Sequence, residues 1–171
     1  MAYVLSVSGK LNLNSLLQNA LDLSTPEDNL PFEFSDSLAT GVGADQANRV
    51  WSDEHTLGTG ENSDLDLTGG LTDAFGNVIV FAALRCIIIR NMGAAAADVL
   101  VIGAAAANPI LSPFGDVSDV LKIGPGGVLF LWNPSAAGYA VVADAADILR
   151  IHNNGAGDTT YQIILIGSTA A

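Results

Sequence analysis

The feature that most constrains this chain is the steady recurrence of short period-two segments, each closed by a cluster of Gly, Pro, Asn or Ser. Alternation sets one row of side chains on a core and the other in water, so each such segment reads as a half-buried β-strand. Tyr3 to Val7 alternates and breaks at Ser8-Gly9. Leu11 to Asn14, Ala20 to Leu23 and Leu30 to Phe34 alternate in turn. Ser15 to Leu23 also fits a short amphipathic helix, and strand is the reading adopted for it. Arg49-Val50-Trp51 and Leu65-Asp66-Leu67 follow, with turns at Thr40 to Asn48, Gly58 to Asn62 and Gly69-Gly70. A longer strand is expected from Val78 to Ile89. Later candidates are Asp98 to Ile102, Val120 to Ile123, Val128 to Trp132, Gly138 to Val142, Ile148 to His152 and Tyr161 to Ile166.

Roughly ten or more strands at spacings of about 8–12 residues form the pattern of a sandwich or barrel. No long segment carries a capped 3.6-residue period, which disfavours a βαβ architecture. The Ala runs Ala94 to Ala97 and Ala104 to Ala107 are each too short to nucleate a helix and are flanked by Gly. The expectation is therefore an all-β, antiparallel β-sandwich spanning residues 1–171 as one domain. Its first half, residues 1–75, is polar and acidic, and residues 1–35 are candidates for an N-terminal arm or edge strands.

Charge narrows the partners. The formal net charge is −12, and the six basic residues are scattered, so the surface repels phosphate backbones and anionic membranes. Neither nucleic acid nor a membrane is an expected partner, and Met1 to Lys10 show neither a basic leader nor a signal-like apolar block. Half the residues are hydrophobic and only 14% are charged, which leaves little to coat a monomer. Two explanations compete: abundant Ala and Gly inflate the apolar count, or part of the surface is buried against other subunits. The second is preferred, and a homo-oligomer is expected. Cys86, the single cysteine, lies in an apolar run and reads as a small buried hydrophobe.

A search for chemistry returns little. His55 and His152 stand alone, without metal-ligand spacing. Counting from Asp64, a calcium loop would want a bidentate Glu at its twelfth position, and Phe75 stands there. A weak loop site around Asp64, Asp66 and Asp73 remains as an alternative to solvated carboxylates. Gly41-Val42-Gly43 lacks the third glycine and the Lys-Ser/Thr of phosphate loops, and no Gly-x-Ser-x-Gly elbow exists. No cofactor and no enzymatic activity are expected.

Three stretches carry a family likeness. The first runs Leu21-Asp22-Leu23-Ser24-Thr25-Pro26, then Asp36 to Gly41 and Gly43 to Asn48. The second is Asp64 to Leu67 with Gly70 to Gly76. The third is Pro125-Gly126-Gly127, Gly138 to Val141, Ile148 to Ile151 and Tyr161 to Gly167. Together they cover most of the chain, which on them resembles structural proteins of tailed-bacteriophage virions, and within these the head decoration (cement) proteins. The resemblance implies a jelly-roll-like sandwich, a trimer on the capsid exterior, and the major capsid protein as partner. A tail, baseplate or receptor-binding component recognising host surface glycans is the alternative. A hydrolase built on Asp pairs is the third reading and requires two carboxylates converging in a deep pocket. Aromatic anchors dominate such interfaces, so Trp51, Phe75, Phe114, Trp132 and Tyr139 are the candidate contact residues, each of them equally fit for core.

Overall fold

The computed structural model describes residues 4–169, so Tyr3 of the first expected strand lies outside the described residues. Within them the chain is all-β and contains no helix. A long hairpin comes first, β1 (Val7–Gln18) and β2 (Glu27–Thr40), followed by a short β3 (Gln46–Ala47) that pairs in parallel with the end of β2. The body then runs β4 (Arg49–Leu57), β5 (Asn62–Asp66), β6 (Leu71–Thr72), β7 (Val78–Ile79), β8 (Ala83–Asn91) and β9 (Leu100–Gly103). It finishes with β10 (Val120–Ile123), β11 (Val128–Trp132), β12 (Tyr139–Ala140), β13 (Ile148–Asn153) and β14 (Thr159–Ser168).

Eight of these strands, with the short β12 as a ninth, make two antiparallel sheets. The front sheet is ordered β11-β8-β14-β4, with β12 added beside β8, and the back sheet is ordered β10-β9-β13-β5. Ile87, Ile89, Ile163 and Leu165 point from the front sheet into the same buried cluster as Leu100, Ile102, Leu149 and Ile151 from the back sheet. The two sheets therefore face each other across one core, and the body is a β-sandwich. Each fully buried aliphatic side chain in it contributes roughly 1.5–3 kcal/mol.

Two buried asparagines fasten the loops to the sheet ends. Asn153 donates from Nδ2 to the carbonyls of Leu57 (2.9 Å) and Gly157 (2.8 Å), and its Oδ1 accepts from the Gly155 N–H at 2.8 Å. Asn91 likewise reaches Asp98 O and Ile123 O and accepts from Gly93. An amide side chain can donate and accept at once, which suits it to loops whose backbone groups find no strand partner.

Three expectations change. Val78 to Ile89 is two strands, because the Phe81 N–H turns to Leu67 O and the Ala82 N–H to Ser168 O, moving the chain from the small β6–β7 pair to the front sheet. Ala20 to Leu23 is a tip, closed by a hydrogen bond from Leu21 N to Ser24 O, and the strand proposed over Ser15 to Leu23 ends at Gln18. Alternation along the outer part of β1 and β2 does not place a row on a core, since every residue from 11 to 33 is exposed.

Candidate interaction surface

The hairpin is amphipathic along its length. Register pairs Leu11 with Phe34, Leu13 with Phe32 and Leu17 with Asp28, so one face carries Leu11, Leu13, Leu17, Leu30, Phe32 and Phe34. The opposite face carries Lys10, Asn12, Asn14, Gln18, Glu27 and Glu33 together with Leu16 and Pro31. There Asn12 donates to Glu33, and Asn14 to Asn12. Pro31 sits where β2 has a neighbour on one side only, a position that tolerates a missing N–H.

Only the root of the apolar face is covered. Val7 and Leu38 enter a second buried cluster with Ala47, Cys86 and Ile166 on the outer side of the front sheet. Phe34 meets Phe130 and Trp132 edge-on, at ring-centroid distances of 6.1 and 6.0 Å. The Trp132 indole Nε1–H donates to Asp36 Oδ2 at 2.7 Å, giving the half-buried ring a polar partner as such rings require. Gly9 lies beneath that ring, and a Cβ there would stand 2.9 Å from it, so the close approach needs glycine.

A buried guanidinium anchors the segment beyond the hairpin. Arg85 is fully buried on β8, and its Nη2 donates to Ala136 O (2.7 Å), Val42 O (3.1 Å) and Ser168 Oγ (3.2 Å). Its Nε donates to Gln46 O at 3.3 Å, so one side chain ties residues 42–46 to the 136 loop and the last strand. Asp45, at φ 56°, adds a 2.7 Å bond from its N–H to Pro134 O. Because both faces of the front sheet are covered here, the run from Ala83 to Ile87 is buried residue after residue and shows no alternation.

Past the root, none of the described residues covers the apolar face. Leu13 is 58% exposed, Leu17 72%, Leu30 64% and Phe32 53%. Twelve paired residues at about 3.3 Å each make the hairpin roughly 40 Å long, and its outer two-thirds lies beyond the body. Contiguous exposed apolar strips of this kind mark surfaces that another molecule covers.

The five aromatic candidates fall in separate places. Trp51 and Phe75 line one groove of about 880 Å³ between the root of β1, the edge strand β4 and the β6–β7 turn, together with Val50 and Val78. Phe75 is 74% exposed, whereas Trp51, Phe114 and Tyr139 are half-buried against the main core. Trp132 is taken up by the hairpin root. Sequence reading missed Leu13, Leu17, Leu30 and Phe32 as a surface. Their signal was the matched alternation on either side of the Ser24-Thr25-Pro26 turn, which marks a hairpin with one apolar face.

The carboxylates weighed as an alternative calcium site are each engaged by other partners. Asp64 forms a two-pronged ion pair with Arg150 at 2.7 and 2.8 Å, and that bond holds its carboxyl below the usual range. Asp66 accepts the Thr68 N–H, and Asp73 caps the β6–β7 turn by accepting the N–H groups of Phe75 and Asn77. Among the described residues no three His, Cys, Asp or Glu side chains form a metal-binding group. No described helix is long and apolar enough to cross a membrane. Comparison with protein-family models, curated proteins and solved structures finds no match to this chain.

Proposed function

We propose that this protein is a non-enzymatic building block of a virus particle, one that decorates the outside of a tailed-phage head and clamps shell subunits together. The observation that carries the reading is the projecting hairpin, whose long apolar face is left for another protein to cover. Strand order supports it. Counted in chain order, the eight sandwich strands lie 1-8-3-6 in the front sheet and 2-7-4-5 in the back sheet, an order that supports a jelly-roll reading. Viral shell proteins use that architecture repeatedly, although fold alone does not assign function.

The physics of a pressurised shell fits the arrangement. Packed DNA pushes capsid subunits apart, and a clamp lying across their boundary adds buried area that must be exposed before the shell opens. The acidic charge of this protein keeps decorated particles from adhering to one another or to stray DNA. The test is to mix the purified protein with empty heads of the cognate phage. Co-sedimentation with the heads and a raised shell melting temperature are expected. Absence of both, or antibody labelling confined to the tail in electron micrographs, overturns the reading.

A further inference from the structure

We infer that the outer half of the hairpin seats on the exposed part of the front sheet of a second copy of this chain, joining protomers in a closed ring by arm exchange. This deepens the proposed function by naming a partner for the arm, and it holds or fails independently of where the protein sits on the particle.

The seat is defined by what the arm already does at home. Its inner half lies on the front-sheet row Trp132, Cys86 and Ile166, with Val7, Phe34 and Leu38 against it. The next row outward on that sheet is Phe130, Ile88, Ile164 and Ser52, and the one after is Val128, Arg90, Gln162 and Glu54. These rows are only partly covered: Phe130 meets Phe34 and Ile88 packs at the root, while Ile164 is 37% and Val128 58% exposed. The uncovered part of the arm and the uncovered part of the sheet therefore continue the two surfaces that already fit together at the root. No chain can unite them within itself, because the arm runs away from its own body.

Charge favours the same seat. The single charged residue on the open apolar face is Asp28, paired in register with Leu17. The exposed cation on the open rows is Arg90, which makes no ion pair among the described residues. Of the other acids of the arm, Glu27 and Glu33 lie on its other face, Asp36 is bonded to Trp132 at the root and Asp22 sits in the tip. A net charge of −12 opposes self-association in general, so a contact that matches the one open arginine to an arm aspartate is preferred over others.

Area favours exchange over a simple pairing of two arms. An open strip of eight residue pairs is about 26 Å long and about 10 Å wide, roughly 260 Å² in footprint. Used once per protomer, it falls well short of the roughly 800 Å² per partner of a stable interface. In a ring each copy both gives an arm and receives one, which doubles that footprint to roughly 520 Å² per protomer and brings it nearer the figure, and the contact is of the head-to-tail type that closes into rings.

The test mixes two singly substituted proteins, Leu13→Cys and Ile164→Cys. The native Cys86 does not compete, because burial keeps it inaccessible and pushes its thiol up to about 12. Under mild oxidation a disulfide between the two different proteins is expected. Light scattering on the unmodified protein is expected to give an oligomer, and Phe32→Asp should raise its dissociation concentration at least about tenfold with an unchanged circular dichroism spectrum. Asp28→Arg should weaken the oligomer and Arg90→Asp should restore it. Crosslinks between two Leu13→Cys chains only, or a monomer at every concentration, overturn the inference without touching capsid binding.

Discussion

The hairpin and the sandwich are built from the same kind of strand and live under opposite conditions. In the body, β8 and β14 are central, and their side chains are buried on the core face and, near Cys86 and Ile166, on the outer face as well. In the hairpin, strands of equal or greater length keep every residue from 11 to 33 in water. Ladder pairing runs the length of both, on two sides in β8 and β14 and on one side along most of the hairpin. What differs is the number of layers stacked on each strand, and that, more than hydrophobicity of the residues, determines what a substitution costs. A leucine stabilises the fold only to the extent that the same chain supplies atoms around it.

The sharpest way to break this contrast is to delete equivalent apolar mass from each region. Leu165→Ala, fully buried in β14, should lower stability by about 2–5 kcal/mol in chemical denaturation. Phe32→Ala, measured on dissociated chains, should change it by no more than about 0.5 kcal/mol. Equal losses would show that the arm belongs to the cooperative core.

A second probe addresses the joint between the regions. Arg85→Met keeps the bulk but removes the donors that hold the carbonyls of Val42, Gln46 and Ala136; because these bonds are only part-buried and water can replace the donors, the total cost should be about 1–3 kcal/mol. Faster proteolysis within residues 40–47 is expected, along with a loss of stability second only to the core deletion. If the segment stays protected, the guanidinium is not what holds it.

The smallest effect belongs to the surface of the body. Asp64 is held below its ordinary value by Arg150, so its folded pKa lies under its unfolded one. The pair's contribution is complete above the usual carboxylate range and fades as pH falls through the depressed value. Since the pair is partly open to solvent, Arg150→Ala should cost at most about 1 kcal/mol at neutral pH. The variant and the parent should converge in strongly acid solution. A gap that persists there would point to packing by the arginine stem.

Much of the body was legible. Val120 to Ile123 and Val128 to Trp132 match β10 and β11 end to end, and Ile148 to His152 falls one residue short of β13, because these are short apolar-rich runs bounded by Gly, Pro and Asn turns. The turn at Asn153-Asn154-Gly155 was readable too, although the use of Asn153 as a hub was not, since its partners Leu57 and Gly157 come from different loops. The break between Ile79 and Ala83 escaped notice because both pieces are apolar and only a change of hydrogen-bonding neighbour divides them. The aromatic criterion passed over the leucines of the arm, and of its five residues Trp132 meets the arm at its root while Phe75 lies exposed in a separate groove. A period-two pattern reports which side chains share a face, and says nothing of whether that face meets protein or water.

By itself, then, the sequence determined an all-β chain, its turns, and the segregation of apolar and polar residues onto opposite faces of each strand, all of which follow from local stereochemistry and period. The tertiary structure alone decided that the first two strands leave the body, that Trp132 and Gly9 meet at their root, and that Arg85 is buried among carbonyls. Those outcomes depend on contacts between residues as far apart as 9 and 132, and no local pattern encodes which surfaces a distant part of the chain will reach.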